Sequence, residues 1–219
     1  KVKAANLDAT VEVVTMAPQS AVPILKDLVR MGVDRVTLLS DRMFSGSDSY
    51  ATSTILAGYL KTTSYDCILT GTHAIDGDTS HVPSQIAELL DLSQMSHVVQ
   101  IDETSFVEGK AIFSVESDQA VATYEMQLPG ILSLQKESKY KLPYIKYEDM
   151  NREVDSQIDT ITNEDLNFKP NEIGLKGSLT KVNRTFVKEY QKRDQVVVAN
   201  DEVGIEAVYA FLKEKGFLS

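Results

Sequence analysis

Internal disulfide chemistry is closed to this chain, because its 219 residues include a single cysteine, Cys67, set in the apolar run Asp66-Cys67-Ile68-Leu69. Long apolar runs are also lacking. None approaches the roughly 18 to 20 residues that a helix needs to cross a bilayer, so membrane insertion is not expected and a cytoplasmic setting is. Positive charge is scarce: 22 Lys and Arg against 32 Asp and Glu leave a formal charge of −10. A nucleic-acid surface needs clustered cations to displace counterions, which excludes DNA and RNA as partners. A single nucleotide escapes that exclusion, since a few backbone amides at a helix N-terminus hold phosphate whatever the net charge. The three histidines, His73, His81 and His97, lack the i, i+4 spacing or companion cysteines of a metal site. No spacing assembles a nucleophile, a base and an orienting acid, so no catalytic side chain is assigned.

What is present is the composition of a folded globular protein, 42% hydrophobic and 25% charged. Residues 11–98 alternate short β-branched runs with helical patterns. Val11-Glu12-Val13-Val14-Thr15 is too short and branched for a good helix and reads as a strand turning at Pro18. A helix follows, with Ile24, Leu25, Leu28, Val29 and Met31 on one face and Gly32 as its C-terminal cap. Residues 35–40 form the next strand, Ser47 or Asp48 caps a helix over 49–60, and strands are expected at 66–70 and 96–101 with a helix over 83–90 between them. This alternation implies right-handed crossovers and a doubly wound, mainly parallel sheet of an α/β fold. From about Ile101 close-set strands suggest an antiparallel portion, with Thr104-Ser105-Phe106 turning at Glu108-Gly109 into residues 111–115. Residues 140–177, broken by Pro143 and Pro170, read as an extended segment outside the core, and residues 201–215 as an amphipathic helix.

The loop over residues 71–82 is the strongest chemical signal, because it leaves the carboxyl end of a parallel strand and enters a helix, where doubly wound sheets bind ligands. Gly71 and Gly77 let the backbone approach a ligand, and the amides around Asp78 to His81 sit at a helix start. No Lys or Arg lies between residues 62 and 109, so a phosphate here would depend on amides and the Thr79 and Ser80 hydroxyls. Asp76, Asp78 and Thr79 serve equally well as turn and N-cap residues, and the physics of the loop alone leaves both uses open.

The stretch Ala74-Ile75-Asp76-Gly77-Asp78-Thr79, after Cys67-Ile68-Leu69-Thr70-Gly71, resembles the signature of electron transfer flavoprotein beta subunits. So do Val13-Val14-Thr15-Met16-Ala17-Pro18, Met31-Gly32-Val33-Asp34-Arg35, Ser40-Asp41-Arg42 and Gly177-Ser178-Leu179-Thr180-Lys181-Val182. Ala17 stands where the family has glycine, and His81 and Pro83 also depart from its usual text. The resemblance implies an adenine-nucleotide-binding α/β domain over residues 1–182, with the family's first strand lying ahead of Lys1. It also implies an extended C-terminal arm and helix over residues 183–219, contacting a partner subunit.

By the same resemblance the cofactor site falls on Met16, Gly71, Thr72, His73, Ala74, Asp76, Gly77, Asp78, Thr79, Ser80, His81 and Val82. Its ligand is FAD in the bifurcating bacterial type, which Ser40-Asp41-Arg42 and Asp76-Gly77-Asp78 favour, or AMP in the mitochondrial type. The implied partners are an electron transfer flavoprotein alpha subunit, an acyl-CoA or other flavin dehydrogenase gripped through Leu142 and Pro143, NADH as electron donor, and ferredoxin or flavodoxin as a further acceptor. A non-redox adenine-nucleotide regulatory module on a similar fold is the competing function, and the colour of the purified protein separates the two.

Overall fold

A computed structural model describes residues 8–74, 77–117, 120–138, 140–184 and 197–218. The chain divides into two compact units, one ending at Lys181 and one beginning at Val182.

In the first unit, β1 (Glu12–Met16), β2 (Arg35–Leu39) and β8 (Ile158–Ile161) form a parallel three-stranded sheet with β2 in the centre. A second sheet has five strands in the order β3 (Cys67–Gly71), β7 (Gly130–Leu134), β4 (Ser93–Asp102), β5 (Lys110–Glu116), β6 (Val121–Gln127). Its pairings β3–β7 and β7–β4 are parallel, and β4–β5 and β5–β6 antiparallel. The fold is therefore the expected α/β class, with parallel strands and an antiparallel portion, its strands shared between two sheets. The central strands show why their sequences are β-branched and apolar: Val36, Leu38 and Leu39 of β2 and Ile131 and Leu132 of β7 are fully buried, covered on both faces.

Three helices follow strands, namely α1 (Val22–Arg30), α2 (Ser49–Leu60) and α3 (Val82–Leu90). Leu25 and Val29 of α1 are buried against Val36 and Leu38, whereas Ile24, expected on the same face, is 68% exposed. Gly32 ends α1 at a φ of +108°, as a residue past a helix terminus often does. Helix α2 starts at Asp48, whose carboxylate accepts from the Ala51 N–H at 3.0 Å and from the Thr180 N–H and hydroxyl at 2.8 and 2.9 Å. Burial alone would push the Asp48 carboxyl up, but those donors hold it below the ordinary carboxylate value. Helix α3 packs along α2 and buries Ile86 and Ala87 against Ile131.

Two expectations are corrected. Thr104-Ser105-Phe106 is not strand: Glu103–Glu108 is a 3-10 turn, because the Asp102 carboxylate accepts from the Thr104 N–H and closes the chain on itself. Residues 140–177 are not outside the core throughout. Val154 is buried with the α1 cluster, β8 pairs with β2, and Ile173 is buried with Leu39, Phe44 and Ile55. Short turns α4 (Asn163–Leu166) and α5 (Gly174–Gly177) complete this stretch, with Thr162 and Asp165 forming a capping box at α4. Its first part, residues 141–150, lies on the surface for most of its length, as do residues 151–153 and 169–172.

The second unit contains α6 (Glu202–Glu214), capped by Asp201, whose carboxylate accepts from the Gly204 N–H at 2.8 Å, and followed by Gly216 at a φ of +75°. Val203, Ile205, Val208 and Phe211 are exposed on it. Among the described residues no helix is long and apolar enough to cross a membrane.

Candidate functional site

The loop from Gly71 to Val82 begins where β3 stops and ends where α3 starts, at the carboxyl ends of the parallel strands. Its base is fixed to β7: the Ser133 hydroxyl donates to the Gly71 carbonyl at 2.9 Å and lies 3.1 Å from the Thr70 hydroxyl. Thr72 is buried there and its hydroxyl lies 3.1 Å from His73 Nδ1. Beyond it the chain turns outward, so that His73, Ala74, Gly77, Asp78, Thr79, Ser80 and His81 are all exposed. Ile75 and the expected site residue Asp76 lie outside the described residues.

The loop's backbone is unusual. Asp78 and Ser80 have φ of +46° and +56°, in the left-handed region that costs most non-glycine residues roughly 1 to 2 kcal/mol. Asp78 tolerates it through its short polar side chain, but Ser80 has no such ease. Strain of this kind accumulates where a loop serves a ligand. The Asp78 N–H donates to the Ala74 carbonyl at 2.8 Å, closing the turn, and the Asp78 carboxylate stands 3.8 Å from His73 Nε2.

Of the turn-and-cap reading, Asp78 closes a turn, Asp76 lies outside the described residues, and no side chain is seen to cap α3. Helix α3 begins at His81 with no side-chain cap hydrogen bond, in contrast to the aspartates that cap α2 and α6. Among the described residues the N–H groups of Thr79, Ser80 and His81 have no acceptor. Open amides ahead of a helix attract anions, which the helix dipole also favours. The loop glycines add to the fit: a Cβ at Gly77 would meet nothing within 4 Å, and one at Gly71 only the His73 carbonyl at 3.9 Å. Neither glycine is needed by the chain's own packing, and both leave open approaches to the backbone. These donors and spaces fit a nucleotide phosphate.

Met16 ends β1, a strand of the other sheet, and packs against the cluster of Leu39, Phe44 and Ile55. Asp41 is committed to the chain itself, accepting from the N–H groups of Met43 and Asn163 at 2.8 and 3.0 Å. Cys67 is held as the neutral thiol at neutral pH, because burial, aided by the neighbouring Asp66 carboxylate, pushes it up to about 12. Leu142 is 74% exposed, and Pro143, Tyr144 and Tyr147 are exposed beside it. One residue that the sequence analysis did not single out follows the last residue of β7. Gln135, just past β7, has a buried side-chain carbonyl oxygen without a hydrogen-bond partner among the described residues.

Comparison with known proteins adds to this geometry. The electron transfer flavoprotein domain family matches residues 1–149. The electron transfer flavoprotein subunit beta of Thermoanaerobacterium thermosaccharolyticum is 33% identical over 200 residues, 90% of this chain and 74% of that protein. The subunit of the same name from Clostridium acetobutylicum is 31% identical over 214 residues, 97% of this chain and 81% of its own length. The caffeyl-CoA reductase-Etf complex subunit CarD of Acetobacterium woodii is 36% identical over 189 residues, 84% of this chain and 70% of that protein.

Proposed function

The chain belongs to the electron transfer flavoprotein family, on its beta-subunit side, and from that premise we propose that it binds FAD at the loop from Gly71 to Val82 and passes electrons on in a complex with a larger alpha subunit. Its role in electron transfer follows from the family; the cofactor's identity and seat are the proposal. The observation that carries it is the N-terminus of α3, where the amides of Thr79, Ser80 and His81 have no acceptor among the described residues and a Cβ at Gly77 or Gly71 would meet no close neighbour.

When bound, the flavin supplies the redox chemistry, and the protein's part is to bind it and tune its surroundings. The amides of Thr79, Ser80 and His81 and the Thr79 and Ser80 hydroxyls would hold the phosphates, since residues 62–109 contain no Lys or Arg to share that task. Thr72, buried at the loop's base, keeps its polar group close to the ligand and away from bulk water. FAD is favoured over AMP by the Ser40-Asp41-Arg42 and Asp76-Gly77-Asp78 text, which is similar to the bifurcating branch. NADH as donor, and a division of electrons between two acceptors, one of them ferredoxin or flavodoxin, belong to that branch and complete the proposal. The apolar residues exposed on α6 support a partner-binding role for the C-terminal arm. Purification from the native source tests the pairing: the larger subunit should accompany the chain, and a stable monomer without it would refute the complex.

Leu142 and Pro143 are proposed to grip the dehydrogenase that exchanges electrons with the complex. An exposed leucine flanked by exposed Tyr144 and Tyr147 has the make-up of an interface anchor. Leu142→Ala should weaken the dehydrogenase encounter by roughly 5- to 30-fold, as losing an anchor worth about 1 to 2 kcal/mol does. The half-saturating dehydrogenase concentration should rise by that factor with cofactor content unchanged. Unaltered transfer rates at low dehydrogenase concentration would count against this surface.

A further inference from the structure

The segment 71–82 has two acidic side chains, Asp76 and Asp78, and two that can take up a proton, His73 and His81, while residues 62–109 contain no Lys or Arg. Asp78 directly precedes the amides of Thr79, Ser80 and His81, so a phosphate held there comes close to a residue whose carboxylate repels it. The backbone fixes where that carboxylate starts from. Asp78 has a φ of +46°, and its N–H donates to the Ala74 carbonyl at 2.8 Å.

Among the described residues, His73 is the titratable side chain in ion-pair range of the Asp78 carboxylate, with Nε2 at 3.8 Å. Its other ring nitrogen, Nδ1, lies 3.1 Å from the Thr72 hydroxyl. That hydroxyl can donate to a neutral ring or accept from a charged one, so the contact serves both states. Thr72 is itself buried, beside the Gly71 carbonyl that Ser133 holds. The imidazole is thus tied at one nitrogen to the base of the loop and presents the other to Asp78. The polar side chains that β3 and β7 bring to this base are the hydroxyls of Thr70 and Ser133, which carry no charge. Helix α3 has no Asp, Glu, Lys or Arg before Glu88, which leaves His81 at its start as the other titratable group.

We propose that His73 is a positioning residue of the nucleotide site, whose protonated imidazole offsets the Asp78 carboxylate and so makes phosphate binding at the 79–81 amides depend on pH. The inference rests on the loop being the nucleotide site. Histidine changes charge within the physiological range, and proton uptake by the ring and phosphate binding then favour each other. Affinity is greatest at low pH and falls as pH rises, because the ring loses its proton while the carboxylate beside it stays charged. The His73 and Asp78 side chains are 42% and 77% exposed, so solvent screens them and limits the change to about two- to fivefold, the worth of one exposed charge pair.

The test uses the protein purified with its larger subunit and stripped of nucleotide. The probe is ADP-ribose, which shares the adenosine diphosphate of FAD and whose pyrophosphate does not titrate near neutrality. Its binding is measured by calorimetry in steps between about pH 6 and 8.5, with Gly77→Val identifying the part that belongs to this loop. The unsubstituted complex should lose about two- to fivefold in affinity over that range. His73→Gln keeps a polar partner for Thr72 but takes up no proton, so it should bind at the weaker, high-pH level throughout. Asp78→Asn should bind at the tighter level throughout, since asparagine also tolerates the left-handed backbone, and His73→Gln should have little further effect in that background. Equal effects of His73→Gln with and without Asp78→Asn would show the ring acting on the ligand directly and would overturn the pairing. A profile flattened by His81→Gln and not by His73→Gln would overturn it too, by assigning the other histidine. If His73→Gln keeps the full pH dependence while Gly77→Val still weakens binding, His73 has no such role and the nucleotide site stands. If Gly77→Val leaves the binding as it was, or the unsubstituted complex binds no ADP-ribose, the nucleotide lies elsewhere and this inference falls with the site.

Discussion

Replacing Gly77 with valine should strip most of the bound nucleotide from the protein and leave its fold intact. The two halves of that expectation have separate physical grounds. A Cβ at Gly77 has open space around it within 4 Å, and the residue does not lie in the left-handed region, so the chain itself has room for a larger side chain. The same open space is what a phosphate needs in order to reach the backbone, and a branched side chain occupies it and stiffens the turn. Intruding methyl groups in a close-packed contact cost about 1 to 3 kcal/mol, which corresponds to roughly a 5- to 150-fold loss of affinity. Thr79→Ala removes one neutral hydrogen bond and should cost at most about tenfold. The order of effects, with Gly77→Val well below Thr79→Ala, is read from the nucleotide-to-protein ratio after purification and from the melting temperature of the stripped protein. A folded Gly77→Val protein with full cofactor content would place the nucleotide elsewhere.

Gly174→Ala should be the most damaging small substitution for stability. Gly174 opens α5 at a φ of +61°, and an added Cβ would run into the Met43 carbonyl oxygen, with the Ser45 carbonyl oxygen at 3.2 Å. Both obstacles are backbone, so no side-chain rotation relieves them. The left-handed conformation costs about 1 to 2 kcal/mol and the overpacking about 1 to 3, together about 2 to 5 kcal/mol. That is a large part of the roughly 5 to 15 kcal/mol by which domains are stable. The damage extends beyond the turn, because Ile173 is buried in the core and the Ser178 hydroxyl bonds the Gly46 and Gly174 carbonyls at 3.1 and 2.8 Å. Gly32→Ala is the control: its φ is +108° but nothing lies within 4 Å of its Cβ, so only the conformational part applies. Urea unfolding should show a much larger drop in midpoint for Gly174→Ala than for Gly32→Ala, and equal drops would contradict the backbone clash.

The alternating half of the fold was legible because its signals are local. Val36 to Leu39 is an unbroken apolar and β-branched run buried in a sheet, Asp48 caps α2 from directly before it, and Gly32 and Gly216 end helices where the pattern stops. β8 was not legible. It is four residues, Ile158–Ile161, within a polar stretch, and its place is set by the edge of β2, a partner more than a hundred residues earlier. Thr104-Ser105-Phe106 misled for the opposite reason: its residues suit a strand, but Asp102 next to them offers a side-chain acceptor that favours a turn. Within the candidate site, Gly71 and Gly77 stood out as glycines at a strand end.

The most direct test of the central claim is the identity and amount of nucleotide in the purified two-subunit complex, obtained by denaturing it and analysing the released molecules by mass. The expected result is FAD in a quantity that requires a binding place on this chain as well as on its partner, with the share assigned here lost in Gly77→Val. AMP in that share would correct the ligand but keep the site. A colourless complex that releases neither FAD nor AMP would contradict the claim that this chain is a nucleotide-binding electron-transfer subunit.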